Sequence, residues 1–282
     1  LYHGEFEPCL IISPHAPGEI IPKRTLMTTE ILTERMGSTL LITLSGPATR
    51  NALSPQVYAA GIELLNVADD DPSVRAVVIT GAGGHFCGGG DLQRLAHNRQ
   101  HDLPTQGAQI DAFYQWIEAI RSSPKPVIAA VEGVAAGGGL SLALACDVLV
   151  AGDNARFMTA YSRVGLSSDG GASWHLARQL PKGIAMTWLW QGGEMSAQQL
   201  LQWGLVHQVA AAGQVQSAAL ALADQLTQAP AGVLSSLKEL VNDAAGQSLN
   251  EHLLAEKRHF LVNLSRPQAG ERIQAFLQRK TP

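Results

Sequence analysis

The stretch Pro126–Asp147, PVIAAVEGVAAGGGLSLALACD, decides the fold of this chain. Val127–Val131 is a short apolar run between a proline and the Glu132-Gly133 break, and it reads as a buried strand. Gly137-Gly138-Gly139 follows, and Leu140–Ala145 reads as the opening turns of a buried helix. The first N–H groups of a helix have no partner inside it, and the helix dipole adds partial positive charge there. Three glycines remove every Cβ that would keep a ligand off that backbone. The same glycines also suit plain close packing of helix on strand, so the triplet alone does not choose between the two uses.

A second copy narrows the choice. Val74–Thr80 is another apolar strand, broken at Gly81, and Phe86-Cys87-Gly88-Gly89-Gly90-Asp91-Leu92 carries another triplet into a helix. Two strand–glycine–helix units in one chain can aim two backbone N–H groups at a single atom, which is what an oxyanion hole requires. Neither unit matches GxGxxG or GxxxxGKS/T, so a nucleotide phosphate cradle fits less well.

HFCGGGDL at 85–92, together with IAAVEGVAAGGGLSLALACDVLVAG at 128–152, resembles the enoyl-CoA hydratase/isomerase (crotonase) superfamily. The likeness runs from about Met27 to the C-terminus. It implies an α/β fold, with a crotonase-type ββα spiral core over 27–212 and a C-terminal helical oligomerisation region over 213–282. It implies that the N–H groups of Gly90 and Gly138 bind the thioester oxygen of an acyl-CoA and stabilise an enolate. Gly88, Gly89, Leu92 and Gly137 then flank the substrate. Arg50-Asn51-Ala52-Leu53 resembles the family's RxNAL turn, which puts Arg50, Ala52 and Leu53 in the CoA-binding set. Asp91 occupies a place where family members use an acid mainly to shape the turn beside the substrate. Lys257 and Phe260 match positions where a neighbouring subunit helps hold the adenine end of CoA. A solvated lysine and a core phenylalanine are the plain alternatives. The expected assembly is a homotrimer, or a hexamer built as a dimer of trimers.

The composition is consistent with such an enzyme. The chain has 282 residues, 46% of them hydrophobic, which is enough for one large domain and its core. A formal net charge of −4 and scattered Lys and Arg argue against nucleic acid or a membrane surface as partner. Cys9, Cys87 and Cys146 are odd in number and lack CxxC spacing, so reduced, buried thiols of a cytoplasmic protein are expected. The nine His residues show no metal-ligand spacing, so neither a metal nor a separate cofactor is expected, coenzyme A being part of the substrate. Residues 1–26 carry several prolines without a period or signal-peptide pattern, and are expected to form a disordered extension ahead of Met27. No apolar stretch reaches the roughly 18–20 residues of a membrane span.

Taken in order, Thr39–Leu44 reads as the first core strand. Ser54-Pro55 opens a helix with Ser as N-cap and Pro at its first position. His97–Gly107 is polar and reads as irregular, and Ile110–Arg121 reads as a helix with Phe113, Trp116, Ile117 and Ile120 on one face. In the family this helix roofs the acyl pocket, which makes Tyr114 and Trp116 weak pocket candidates beside their ordinary reading as core. Val148–Ala151 is a further strand, Ser196–Gly204 a short helix and Val206–Val209 a strand. Gln214–Gln228, Gly232–Asp243, Ser248–Leu264 and Pro267–Gln278 read as amphipathic helices, the third with Leu249, Leu253, Phe260 and Leu264 near one stripe.

An oxyanion hole eases removal of an α-proton, but some group must carry it. Hydratases of the family use two Glu, and an ungapped match places Ser141 and Tyr161 at those positions. Both carboxylates are missing. Phe157–Leu166, FMTAYSRVGL, followed by Ser167-Ser168-Asp169-Gly170-Gly171, resembles the isomerase branches instead, which carry an Asp in a GLxxD turn. Among those branches it resembles the ring-epoxide (1,2-epoxyphenylacetyl-CoA) isomerases and the Δ3,Δ2-enoyl-CoA isomerases. Asp169 is therefore the expected proton carrier, with Ser141 and Tyr161 shaping the pocket. As a bland alternative it caps the helix over Gly170–Leu180. Rival readings are a hydratase or hydratase-lyase in which Asp169 holds the water, and an acyl-CoA-binding protein with a decayed site. Dehalogenases of the superfamily need a His where this chain has Tyr114, which counts against that chemistry.

Overall fold

The computed structural model describes residues 28–279, so the expected extension over 1–26, with Cys9, lies outside them. The chain opens with β1 (Glu30–Met36), β2 (Thr39–Ser45), α1 (Pro55–Asp70), β3 (Ala76–Gly81), α2 (Leu92–His101) and α3 (Leu103–Ser122). It continues through β4 (Val127–Val131), β5 (Val134–Ala136), α4 (Gly138–Ala145), β6 (Val148–Gly152) and β7 (Arg156–Met158). Then come α5 (Ala172–Gln179), α6 (Lys182–Gln191), β8 (Glu194–Ser196), α7 (Ala197–Gln202) and β9 (Gln208–Ala210). Helices α8 (Val215–Leu226), α9 (Ala231–Asp243), α10 (Leu249–Leu264) and α11 (Pro267–Arg279) end it. Among the described residues, no helix is long and apolar enough to cross a membrane.

The larger sheet has the order β1-β2-β3-β4-β6-β9, antiparallel only at β1-β2. Its inner strands read as continuous apolar runs because both faces are covered, as parallel sheets require. In β3, Val77 and Ile79 join the core with Trp116 and Leu140, whereas Ala76 and Val78 face Val215, Ala219 and Ala223 of α8. A smaller sheet, β5-β7-β8, stands beside α4, the helix entered from Gly137-Gly138-Gly139.

At three points the structure corrects, adds to or decides the reading of the sequence. The polar segment His97–Gly107 is not irregular: α2 runs to His101, and α3 begins at Leu103, a full turn and more before Ile110. Asp102 serves both, ending α2 and accepting from Thr105 N–H at 3.0 Å to start α3. Only Asn98 of α2 is buried, so this surface helix has no apolar face to announce it. Second, the first core strand forms as expected, as β2, but β1 precedes it, a mostly exposed edge strand that carries little apolar signal. Third, Asp169 does not cap α5. Gly171, at φ +83°, holds the cap position without any side-chain bond.

Candidate active site

The two glycine runs are knitted into one structure by their backbones. Phe86 and Cys87 donate their N–H groups to Val134 O at 3.1 and 3.0 Å, and Ala136 N–H returns a bond to Cys87 O at 2.9 Å. Gly89, at φ +93°, lies so close that a Cβ there would stand 2.6 Å from Ala136 O and 3.4 Å from Gly138 N. A Cβ on Gly139 would run into the carbonyl of Cys87. These glycines serve the joint between the two units. Gly90 differs: nothing lies within 4 Å of a Cβ built on it. Gly138 opens α4, so its N–H is among the first-turn donors that have no partner inside the helix.

The turn over Arg50–Leu53 is bonded to the first glycine run but does not itself line the cleft described below. Gly88 N–H donates to Arg50 O at 2.7 Å, and Leu53 N–H donates to Gly89 O at 2.8 Å. Asn51 was not singled out from the sequence, yet it is the most heavily bonded side chain here. It is fully buried; its Oδ1 accepts from Gly46 N–H at 2.9 Å, and its Nδ2 donates to Ala82, His85 and Phe86 carbonyls at 2.9, 2.7 and 3.2 Å. Its backbone is left-handed, φ +57°, a region that Asn tolerates better than most residues. Cys87 is closed off beneath, its thiol donating to Asn51 O at 3.1 Å and pushed by burial up to about 12, so it stays neutral.

A cleft of about 440 Å³ opens above this joint. Gly88, Gly89, Gly90, Gly137 and Gly138 line its floor, Leu92, Leu95, Leu103, Ile110 and Tyr114 one side, and Tyr161, Val164, Leu166 and Asp169 the other. Among the described residues lining it, Asp169 is the sole carboxylate. Ala160, at φ +52°, turns the chain into a short 3-10 segment that starts at Tyr161. Tyr161 Oη donates to Asp169 Oδ1 at 2.7 Å and lies 2.8 Å from Ser141 Oγ. Ser141, fully buried in α4, donates to Asp169 O at 2.8 Å. Burial pushes the Asp169 carboxyl above the usual carboxylate range, and the Tyr161 hydroxyl pulls the other way. Burial and the neighbouring Asp169 raise the Tyr161 phenol, which stays protonated.

Residues 34–282 match the family model described as "Enoyl-CoA hydratase/isomerase". This chain belongs to that family. The hydratase/isomerase chain is 32% identical, over 86% of its own length and 93% of the relative's, to a 1,2-epoxyphenylacetyl-CoA isomerase of Escherichia coli K12. It is 34% identical to the 2,3-dehydroadipyl-CoA hydratase of the same organism, over 90% of this chain and 97% of that one. Among solved structures, an enoyl-CoA hydratase from Polaromonas sp. JS666 is 52% identical, with a TM-score of 0.87 over 89% of this chain and 98% of that chain.

In this hydratase/isomerase chain, the other expected site residues fall in two places. Asp91 lies beside the cleft, but its carboxylate caps α2, accepting from Gln93 and Arg94 N–H at 2.9 and 3.3 Å. Lys257 and Phe260 lie on α10 outside the cleft and line a separate groove with α9 and α11. Trp116 is fully buried in the core, while Tyr114 stands at the cleft rim.

Proposed function

We propose that this protein is an acyl-CoA isomerase that stabilises a thioester enolate and moves a proton with one acid. The N–H groups of Gly90 and Gly138 polarise the thioester carbonyl; such a donor is typically worth about 2.7–4 kcal/mol in the transition state. Arg50, Ala52 and Leu53 border the path of the CoA chain. Asp169, ionised, takes a proton from the substrate skeleton and returns it at another carbon, so a double bond moves with no net addition. For a ring-epoxide acyl-CoA the same electrophilic site would support ring opening instead.

The observation that carries this reading is that Asp169 is the sole carboxylate lining the cleft among the described residues. Hydration needs a group to hold water and a second to deliver a proton to carbon. Here Ser141 and Tyr161 stand where the family's hydratases carry Glu, and neither is acidic enough to share that work. The likeness to an epoxide isomerase supports the reading. Hydration with Asp169 holding the water is the second reading, favoured by the likeness to an enoyl-CoA hydratase.

Exposed Leu249, Leu253, Phe260 and Leu264 on α10 support assembly through the C-terminal helices, as a homotrimer or hexamer, with Lys257 brought to a neighbour's CoA. A paired assay tests the chemistry. The protein and Asp169→Asn each receive a 3-enoyl-CoA, followed by conjugation, and crotonyl-CoA, followed by hydration. Conjugation that is lost in the variant is expected; hydration without conjugation would overturn the isomerase reading.

A further inference from the structure

The hydrogen bonds around Asp169 can be satisfied in two complete ways. With Asp169 ionised, the Tyr161 hydroxyl donates to Oδ1 across 2.7 Å and the Ser141 hydroxyl donates to Asp169 O across 2.8 Å. With Asp169 protonated on Oδ1, that O–H donates back along the same 2.7 Å line. The Tyr161 hydrogen then turns to Ser141 Oγ, 2.8 Å away, in preference to Asp169 O at 3.3 Å, where Ser141 keeps its own shorter bond. No donor is left without an acceptor in either arrangement, and no heavy atom has to move. A hydroxyl, being both donor and acceptor, can do this; a backbone N–H or a guanidinium cannot.

We infer that Tyr161 and Ser141 form a reversible hydroxyl relay that holds Asp169 in one orientation through both halves of the proton shuttle. Tyr161 is a positioning residue in this scheme, and the proton itself travels only between substrate and Asp169. The inference rests on Asp169 as the proton carrier of the reaction proposed above. Buried unpaired polar groups are costly, so a carboxyl that must be charged in one step and neutral in the next needs neighbours that can reverse. The rest of the surround leaves the job to this pair. Tyr58 of α1 and Tyr114 of α3 feel the charge of Asp169, and both phenols are pushed up by burial and stay neutral. Arg94 of α2 donates to Leu53 O at 2.8 Å, and Arg99 lies in the cleft lining.

The test is the pH profile of kcat for conjugation of a 3-enoyl-CoA, with thermal melting of each variant in parallel. Tyr161→Phe removes the donor to the charged carboxylate, so the acidic limb, where Asp169 must lose its proton, should move up by about one pH unit. At neutral pH kcat should fall about 10- to 100-fold while KM changes less than about threefold. Ser141→Ala leaves that donor in place; it loses the bond to Asp169 O from both arrangements but the acceptor for Tyr161 from the protonated one alone, so its limb should move the opposite way, by less. Opposite shifts in folded variants support the relay. Unmoved limbs in both, or shifts in one direction, would overturn it, whatever happens to stability. If Tyr161→Phe fails to fold, Ser141→Ala decides, an unchanged or raised limb overturning the relay. Asp169→Asn distinguishes the two levels: full conjugation activity in that variant defeats the proposed function itself.

Discussion

A Cβ placed on Gly170 would stand 2.8 Å from the Cβ of Ser141, so the turn that carries Asp169 is pressed directly onto α4. The same atom would collide with the ring of Phe113, and Gly170 sits at φ +56°, where a side chain is strained. Gly170→Ala should therefore cost about 2–4 kcal/mol of stability and more than about 100-fold in activity. Chemical denaturation and the conjugation assay check the two parts.

The glycines of the two triplets should separate by experiment. Gly139→Ala forces a Cβ into the carbonyl of Cys87, which is backbone and cannot swing away, so the protein should fold poorly or not at all. Gly90→Ala meets nothing within 4 Å, and should melt within a few degrees of the parent while losing activity at least about tenfold. Equal damage from both, by melting and by assay, would assign Gly90 to packing.

Asn51→Ala removes four hydrogen bonds, three that tie the Arg50–Leu53 turn to the first glycine loop and one from Gly46 N–H. It takes their partner from a part-buried N–H and from carbonyls that are part-buried or, at Phe86, buried, a loss of about 3 kcal/mol by the usual penalty for such groups. Urea unfolding should show the midpoint lowered at an unchanged slope.

Lys238 of α9 reaches Asp147 Oδ2 at 2.8 Å, with side chains only 11% and 23% exposed. The ammonium also donates to Ile120 O at 2.9 Å, and Asp147 accepts from Val127 N–H at 2.8 Å. Lys238→Ala should cost about 2 kcal/mol, below the range for fully buried pairs because some water reaches this one. Burial already raises the Asp147 carboxyl above its ordinary value, and Lys238 opposes that rise. Without Lys238 the folded state holds the proton still more tightly than the unfolded one. The deficit should then grow as pH rises above the ordinary carboxylate range, through the raised folded-state value of the variant, and shrink on acidification, which melting as a function of pH will show.

Much of this architecture is local and so was legible in the residues. An apolar run that ends at glycines and enters a helix needs no distant partner to be recognised, and both copies form the expected strands and helices. Helix α1 starts where Ser54-Pro55 indicated, with the Ser54 hydroxyl accepting from Val57 N–H. The failures have a common cause. The second half of α2, from His97, and strand β1 lie at the surface, and their sequences carry no apolar period because nothing packs against most of their residues.

The sequence by itself determined the two glycine-entered helices, the missing glutamates and the presence of an acid after Gly165-Leu166, since each depends only on residue type and spacing. Only the tertiary structure decided what that acid faces. Asp169 precedes a helix, which by sequence suits a cap. Its carboxylate turns instead to Tyr161, because Gly170 and Gly171 at φ +56° and +83° rotate the chain away from the start of α5. Joining Cys87 to Ala135, and Asn51 to three carbonyls of the first glycine loop, likewise required segments far apart in the chain to meet. Hydrogen bonds of that kind are set by where backbones converge, and no local pattern of residues records it.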